Sequence, residues 1–260
     1  MDVGWVEREF DRRASTYDQG SFHASVADAA ARFAAPTSIE TVLDVATGTG
    51  LVLRSLQTLP AAHLTGIDVS LAMLKVARTA LPGVRFLQAS AHDLPFESGE
   101  FNVITCVSAM PYIGSPDAAV REWRRVLADD GRIVVSAFVT DGLTGPTLTR
   151  RAAHQHGLIV EDPNAATSTV EKWREISARA GMHVVRAEIS TTPIPSATAD
   201  SLLSPQYPFD VRNDLHDATP DQWALVGATL RELITATVEW RASVLLVELR
   251  NDRNSRSQRK

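Results

Sequence analysis

The sequence predicts an α/β fold: a doubly wound, largely parallel sheet with helices on both faces and a helical insertion near its end. Three observations carry this. From about residue 39, short apolar runs alternate with stretches of helical period. Alternation of this kind implies βαβ crossovers and a sheet covered on both faces. A glycine-rich turn follows the first run directly.

Residues 1–38 read as a helical segment. Phe22, Val26, Ala29, Ala30 and Phe33 share one face at helical spacing, and Pro36 ends it. Strands follow near Thr41–Val45, Leu64–Asp68, Val84–Gln88, Phe101–Val107 and Arg132–Phe138, with helices between them near Leu51–Thr58, Leu71–Leu81 and Asp117–Leu127. In the last helix Val120, Trp123 and Leu127 form the buried stripe, while Glu122, Arg124 and Arg125 face outward or pair. Asp129–Asp130 reads as a turn before Gly131. Residues 139–167 form a long connection with a short helix around Thr147–His156.

Further on, Ser168–Ala180 reads as a helix with Val170, Trp173 and Ile176 on one side, closed by Gly181. His183–Ile189 and Ser243–Leu249 read as two more strands, forming a hairpin at the sheet edge. Between them a proline-rich run leads into an amphipathic helix marked by Trp223, Val226, Leu230, Leu233 and Ile234. This insertion, residues 191–242, is expected to sit over the sheet as a cap within a domain spanning residues 39–250. Trp223, Tyr207, Phe209 and Trp240 could wall an apolar acceptor pocket there, or simply pack the cap onto the sheet.

Composition narrows the function. Of 260 residues, 44% are hydrophobic and 22% charged, which suits a globular chain and excludes a disordered one. A single cysteine, Cys106, allows no intrachain disulfide and fits a reducing, cytoplasmic setting; inside a strand it reads as a small core residue. The N-terminal residues carry both signs of charge and no apolar run, so no secretory signal is expected, and no stretch is long enough for a membrane span. Four of the 26 basic residues lie in the last eight positions, leaving 22 against 31 acidic ones, a charge of −9, on residues 1–252. So acidic a body argues against a nucleic-acid partner, and residues 251–260 read as a disordered basic tail.

The chemistry starts at Val42–Gly50, VLDVATGTG, where a buried strand runs into a turn of Gly, Ala and Thr that opens a helix. Such a turn brings backbone N–H groups and a helix N-terminus close to a ligand. Asp68 ends the next strand, 18 residues beyond Gly50, where a carboxylate can accept both hydroxyls of a ribose. The alternative for Asp68 is an N-cap on the helix from Leu71, a task Ser70 could do equally well. A dinucleotide site would want a small residue at position 53, which holds Leu53, and would not explain Asp44 beside the loop. A carboxylate there repels pyrophosphate but suits a cationic amino group. The electrostatics favour S-adenosylmethionine over a nicotinamide dinucleotide.

The segments FDRRASTYD (residues 10–18), VLDVATGTG, LTGIDVSLAML (64–74), ASAHDLPF (89–96), FNVITCVSAMPYI (101–113) and REWRRVLADDGRIVV (121–135) together resemble the class I S-adenosylmethionine-dependent methyltransferases. The likeness is to the ubiquinone/menaquinone-biosynthesis-like (methyltransferase type 11) group, of natural-product type, and covers about half the chain. It implies a Rossmann-like, seven-stranded sheet of order 3-2-1-4-5-7-6 with strand 7 antiparallel. It also implies roles: Asp44, Ala46, Gly48 and Gly50 around the methionine moiety, Asp68 on the ribose and Val69 against the adenine. Ser90 and Ala91 would line the adenine edge, Val107 would lie near the sulfonium, and Tyr17 would fold over the cofactor. Three positions depart from the group's pattern: Ala46 stands for a glycine, and Ser90 and Asn102 each stand for an aspartate.

Methyl transfer from a sulfonium needs no protein nucleophile. It needs an acceptor atom held about 3 Å from the methyl, in line with the leaving sulfur, with water kept out. A phenol or enol also benefits from a general base. Candidates are His23, His154, His156 and His216, with His154 and His216 ranked first: His154 follows the fifth strand and His216 lies in the cap. His92 is expected to meet cofactor or solvent rather than act as a base. No metal-ligand spacing appears. The expected activity is O- or C-methylation of a small, partly apolar molecule in secondary metabolism, in a chain that admits a homodimer. The alternative is a methyltransferase-fold cyclase or isomerase that binds S-adenosylmethionine without transferring its methyl.

Overall fold

The computed structural model describes residues 3–19, 21–35, 40–57, 63–204 and 218–252. Two helices, α1 (Val3–Arg13) and α2 (Ser21–Ala34), precede a seven-stranded sheet. Pro36, expected to close α2, lies outside the described residues. The strands are β1 (Thr41–Val45), β2 (His63–Asp68), β3 (Arg85–Gln88), β4 (Phe101–Cys106), β5 (Leu127–Leu143), β6 (Met182–Pro193) and β7 (Arg241–Asn251), in the order β3-β2-β1-β4-β5-β7-β6. β1 to β5 pair in parallel, and β7 runs antiparallel between β5 and β6. The expected order and the antiparallel strand 7 are both present.

Strand periodicity divides the core. Leu43, Val45, Ile104 and Cys106 point to the face covered by α5 (Pro116–Val126) and α7 (Val170–Arg179), whose Trp123 and Trp173 are fully buried. Val42 and Val103 point to the other face, against α2, α3 (Leu51–Leu56) and α4 (Leu71–Ala80). Each large apolar side chain so buried stabilises the fold by about 1.5–3 kcal/mol. By the same alternation Asp44 and Thr105 lie on the α2 side, directly paired across β1 and β4.

Arg132 ties the far end of this layer. Its guanidinium donates to both oxygens of Glu40 at 3.0 Å, and to the carbonyls of Ala34 at 2.9 Å and Ala35 at 3.3 Å, closing the C-terminus of α2.

Several element boundaries differ from expectation. β5 begins at Leu127, which the periodicity assigns to the preceding helix. Phe101 pairs with Leu127 but Val103 with Arg132, so residues 128–131 bulge from the ladder and carry Asp129 and Asp130, read as a turn, inside the strand's span. β6 continues through Thr191 and Thr192 to Pro193, along the full length of β7, which shortens the insertion to residues 194–240.

The described parts of that insertion are α8 (Ala199–Leu202) and α9 (Pro220–Thr235), the latter opened by a Thr219/Gln222 capping box. Val226, Leu230, Leu202 and Trp240 bury against Leu148, Ala152 and Ala153 of α6 (Thr144–Gln155). Trp223 and Trp240 thus serve packing of this layer onto α6. Tyr207, Phe209 and the tail 253–260 lie outside the described residues.

Candidate functional site

The site forms at the C-terminal ends of β1, β2 and β4, where a doubly wound sheet opens a crevice. β1 ends at Val45, and the chain turns through two left-handed residues, Ala46 at φ 54° and Gly48 at φ 55°, before Gly50 at φ 85° leads into α3. Glycine adopts this region freely, whereas alanine is strained there by about 1–2 kcal/mol. A Cβ at Gly48 would meet nothing within 4 Å and would project into open space, so the bare backbone leaves a cradle. A Cβ at Gly50 would lie 2.9 Å from Leu81 Cδ1 and 3.4 Å from Ala77 Cβ. Gly50 lines neither cavity of the site; without a Cβ it lets α3 and α4 pack closely.

Two adjoining cavities flank the loop. The larger, about 430 Å³, is lined by Asp68, Val69, Ser90 and Ala91 on the sheet side, and by Val3, Val6 and Phe10 of α1 above. The smaller, about 40 Å³, is lined by Asp44, Thr47, Thr49 and His23. Tyr17, Ala46, Gly48, Val107 and Ser108 line both. Nine of the ten residues expected around the cofactor therefore border one or both of these cavities.

Each carboxylate is held by hydrogen bonds that leave lone pairs over. Asp68 accepts the N–H of Gly48 at 2.8 Å and of Ser70 at 2.9 Å. Ser70 itself caps α4, its hydroxyl accepting the N–H of Met73 at 3.1 Å, so Asp68 is not the N-cap. Asp44 accepts the hydroxyls of Thr47 at 2.7 Å and Thr105 at 2.6 Å. Burial pushes its carboxyl up to about 6, against the pull of these two bonds. Burial likewise raises Asp68, against its backbone bonds.

The chain's N-terminal segment roofs the cleft. Asp11 accepts the Ser70 hydroxyl at 2.6 Å and the Ala72 N–H at 3.1 Å, and Asp18 accepts the Thr49 hydroxyl at 2.7 Å. Tyr17 stacks on His23 with ring centroids 4.3 Å apart, and Phe10 meets Tyr112 edge-on at 4.8 Å. Burial pushes the His23 imidazole down to about 4, helped by the nearby Arg13 charge, so the ring is neutral at pH 7. Burial raises the Tyr17 and Tyr112 phenols, keeping both protonated. On the adenine side, Trp123 Nε1 donates to the Ala91 carbonyl at 2.8 Å and fixes that loop from below.

Of the candidate bases among the described residues, only His23 borders the site; the exposed His92 also lines it, its Nε2 3.3 Å from the Ser115 carbonyl oxygen. His154, ranked first from sequence, is exposed on α6 in a separate shallow groove with Arg150, Arg151 and Gln155, because its helix turns its buried face to the insertion. His156 bonds Thr229 of α9 at 2.8 Å. His216 lies outside the described residues. Cys106 is buried in β4 with its thiol pushed well up by burial, a core residue as expected. Among the described residues no group of three or more His, Cys, Asp or Glu side chains could hold a metal ion, and no helix is long and apolar enough to cross a membrane.

Sequence reasoning missed the contribution of α1 and of the stretch after β4. Val3, Val6 and Phe10 recur at helical spacing, a signal that was present; nothing in the sequence marks Ser108 or Tyr112 as wall residues.

The residues fit S-adenosylmethionine by their donor set. A carboxylate lies at each end, the Asp44 end suits an ammonium and the Asp68 end a ribose, and the Gly48 cradle leaves room between them.

Comparison with known proteins adds to this geometry. Residues 42–131 match a family described as a methyltransferase domain. Over 146 residues the chain is 36% identical to the demethylmenaquinone methyltransferase of Clavibacter sepedonicus, covering 53% of this chain and 59% of that protein. It is 30% identical over 152 residues to the ubiquinone/menaquinone biosynthesis C-methyltransferase UbiE of Pseudomonas paraeruginosa strain PA7, covering 55% of this chain and 58% of that one. The chain thus spans less than two thirds of the length of these relatives. The fold is similar to that of the BH2331 protein of Bacillus halodurans C-125, with a TM-score of 0.60 at 19% identity over 87% of this chain and 98% of that one.

Proposed function

We propose that this chain is a class I S-adenosylmethionine-dependent methyltransferase of the ubiquinone/menaquinone-biosynthesis-like type, with S-adenosylmethionine as its cofactor, a reading supported by the matched methyltransferase domain and the two relatives, and that it methylates oxygen or carbon of a small, partly apolar molecule. One observation carries the reading: two cavities that share Gly48 in their lining, one bordered by Asp44 and the other by Asp68.

The bound cofactor would supply an electrophilic methyl group. Asp44 would hold the ammonium, and Asp68 the ribose hydroxyls. Val69, Ser90 and Ala91 would border the adenine, Ala46 and Val107 the middle of the molecule, and Tyr17 would cover it. The roof of Val3, Val6 and Phe10 would keep water from the reacting centre, where a dry site strengthens every charge interaction. Apolar and aromatic groups dominate that roof, with Tyr112 beside it. This supports an uncharged, flat acceptor such as a phenol or quinol. The quinone-related names of the two relatives point the same way, whereas the assignment to secondary metabolism rests on the sequence resemblance alone.

The test is release of S-adenosylhomocysteine when the protein is mixed with S-adenosylmethionine and a panel of phenols and quinols. Release with methylated product supports transfer. Turnover of an acceptor with the cofactor unconsumed would favour the cyclase or isomerase alternative. A cytoplasmic location and a homodimer belong to the same proposal, the latter checked by light scattering.

A further inference from the structure

Ser108 lies two residues beyond the end of β4 and carries two structural costs at once. Its backbone is left-handed, at φ 58°, a region that non-glycine residues occupy only where the surroundings hold them. Its N–H donates to the hydroxyl of Ser136, 2.9 Å away on β5, and Ser136 is wholly buried. The Ser108 Oγ is shielded from water and has no hydrogen-bond partner. A buried hydroxyl left unpaired is a cost that packing alone does not repay. Glycine at this position would remove both.

The place where these costs fall is informative. Ser108 is one of five described residues bordering both cavities, and among these only Ser108 and Tyr17 have a polar side chain. In S-adenosylmethionine the group between the amino acid and the ribose is the sulfonium. With the ammonium at Asp44 and the ribose at Asp68, the positive sulfur falls where the cavities join.

We propose that the Ser108 hydroxyl turns its oxygen to the sulfonium and makes the site prefer S-adenosylmethionine over the neutral thioether S-adenosylhomocysteine. This rests on the methyltransferase reading. Because the Oγ makes no hydrogen bond in the ligand-free protein, turning it to the sulfonium breaks none. Its lone pairs stabilise a cation and gain little from an uncharged sulfur, so the contact is a difference between the cofactor before and after methyl loss. It favours loading of the cofactor and departure of its demethylated form.

The test is calorimetric titration of S-adenosylmethionine and S-adenosylhomocysteine into wild type, Ser108→Ala and Ser108→Gly, with the melting temperature of each ligand-free protein. Both variants should lose about tenfold in S-adenosylmethionine affinity while S-adenosylhomocysteine binds nearly as before. Neither should melt below wild type, and Ser108→Gly should melt above it. Equal losses for the two ligands, or an unchanged ratio with a lowered melting temperature, would overturn the proposal and leave Ser108 a structural residue. Failure of the wild type to bind either ligand would instead overturn the methyltransferase reading beneath it.

Discussion

The Asp68 carboxylate accepts the backbone N–H of Gly48 at 2.8 Å, linking the end of β2 to the loop after β1. One side chain therefore shapes the glycine loop and faces the larger cavity. Asp68→Ala should remove both functions. We expect S-adenosylmethionine affinity to fall at least about 100-fold, from the loss of charge-assisted bonds worth about 1.5–3 kcal/mol each. The ligand-free protein should also melt lower, because the Gly48 and Ser70 N–H groups lose their acceptor. Titration calorimetry and a melting curve check the two effects; wild-type affinity would refute the assignment of Asp68.

Ala46 and Gly50 should respond in opposite directions to exchange. Ala46→Gly relaxes a left-handed alanine and should stabilise the protein by about 1 kcal/mol, less the extra freedom glycine gives the unfolded chain. Gly50→Ala keeps φ at 85° and drives a methyl against Leu81 and Ala77, so it should destabilise by about 1–3 kcal/mol. Urea unfolding of both variants measures the contrast.

Asp44 should make cofactor binding pH-dependent. Its carboxyl sits near 6 in the ligand-free protein, and only the ionised form attracts an ammonium. Affinity for S-adenosylmethionine should therefore drop about tenfold per pH unit below 6 and level off above it. Stability of the ligand-free protein carries the opposite sign: the folded state binds the proton more tightly than the unfolded chain, so Asp44's contribution declines as pH rises from about 4 to 6. His23 behaves the other way, contributing stability above about 6.5 that is lost as pH falls towards 4. Asp44→Asn should flatten the affinity profile at a low value, and titrations between pH 5 and 8 decide it.

Trp240 separates the insertion from the cofactor site. It is buried against α6 and α9 and lines neither cavity. Trp240→Ala should cost about 3–5 kcal/mol of stability, while the surviving folded protein keeps its S-adenosylmethionine affinity within about twofold. A large affinity loss measured at a temperature where the variant is folded would show that the insertion reaches the cofactor.

Much of this was legible in the chain. βαβ alternation and strand hydrophobicity determine the sheet because each crossover must cover a face, and Asp44, Gly48 and Asp68 stand at strand ends where topology places ligands. Gly50 shows the limit. Sequence marks a residue that tolerates φ above zero, and only packing against Leu81 shows that the missing side chain also serves two helices. His154 lies away from the cleft for a related reason: proximity to β5 along the chain does not fix which way α6 turns, and α6 turns its apolar side to the insertion. The bulge at residues 128–131 left no pattern to read, since its acidic pair looks the same in a turn as in a distorted strand.

Arg132 acts on the site from the opposite end of the sheet. It grips the carbonyls of Ala34, the last residue of α2, and of Ala35 beyond it, together with the Glu40 carboxylate before β1, whereas Phe22 and His23 occupy the first turn of that helix. At about 1.5 Å per residue, the 14 residues of α2 form a beam about 20 Å long, anchored at its base with its tip in the cavity wall. Small angular play at the base is magnified at the tip, so the tightness of an arginine fork far from any ligand governs how steadily the His23 ring faces it.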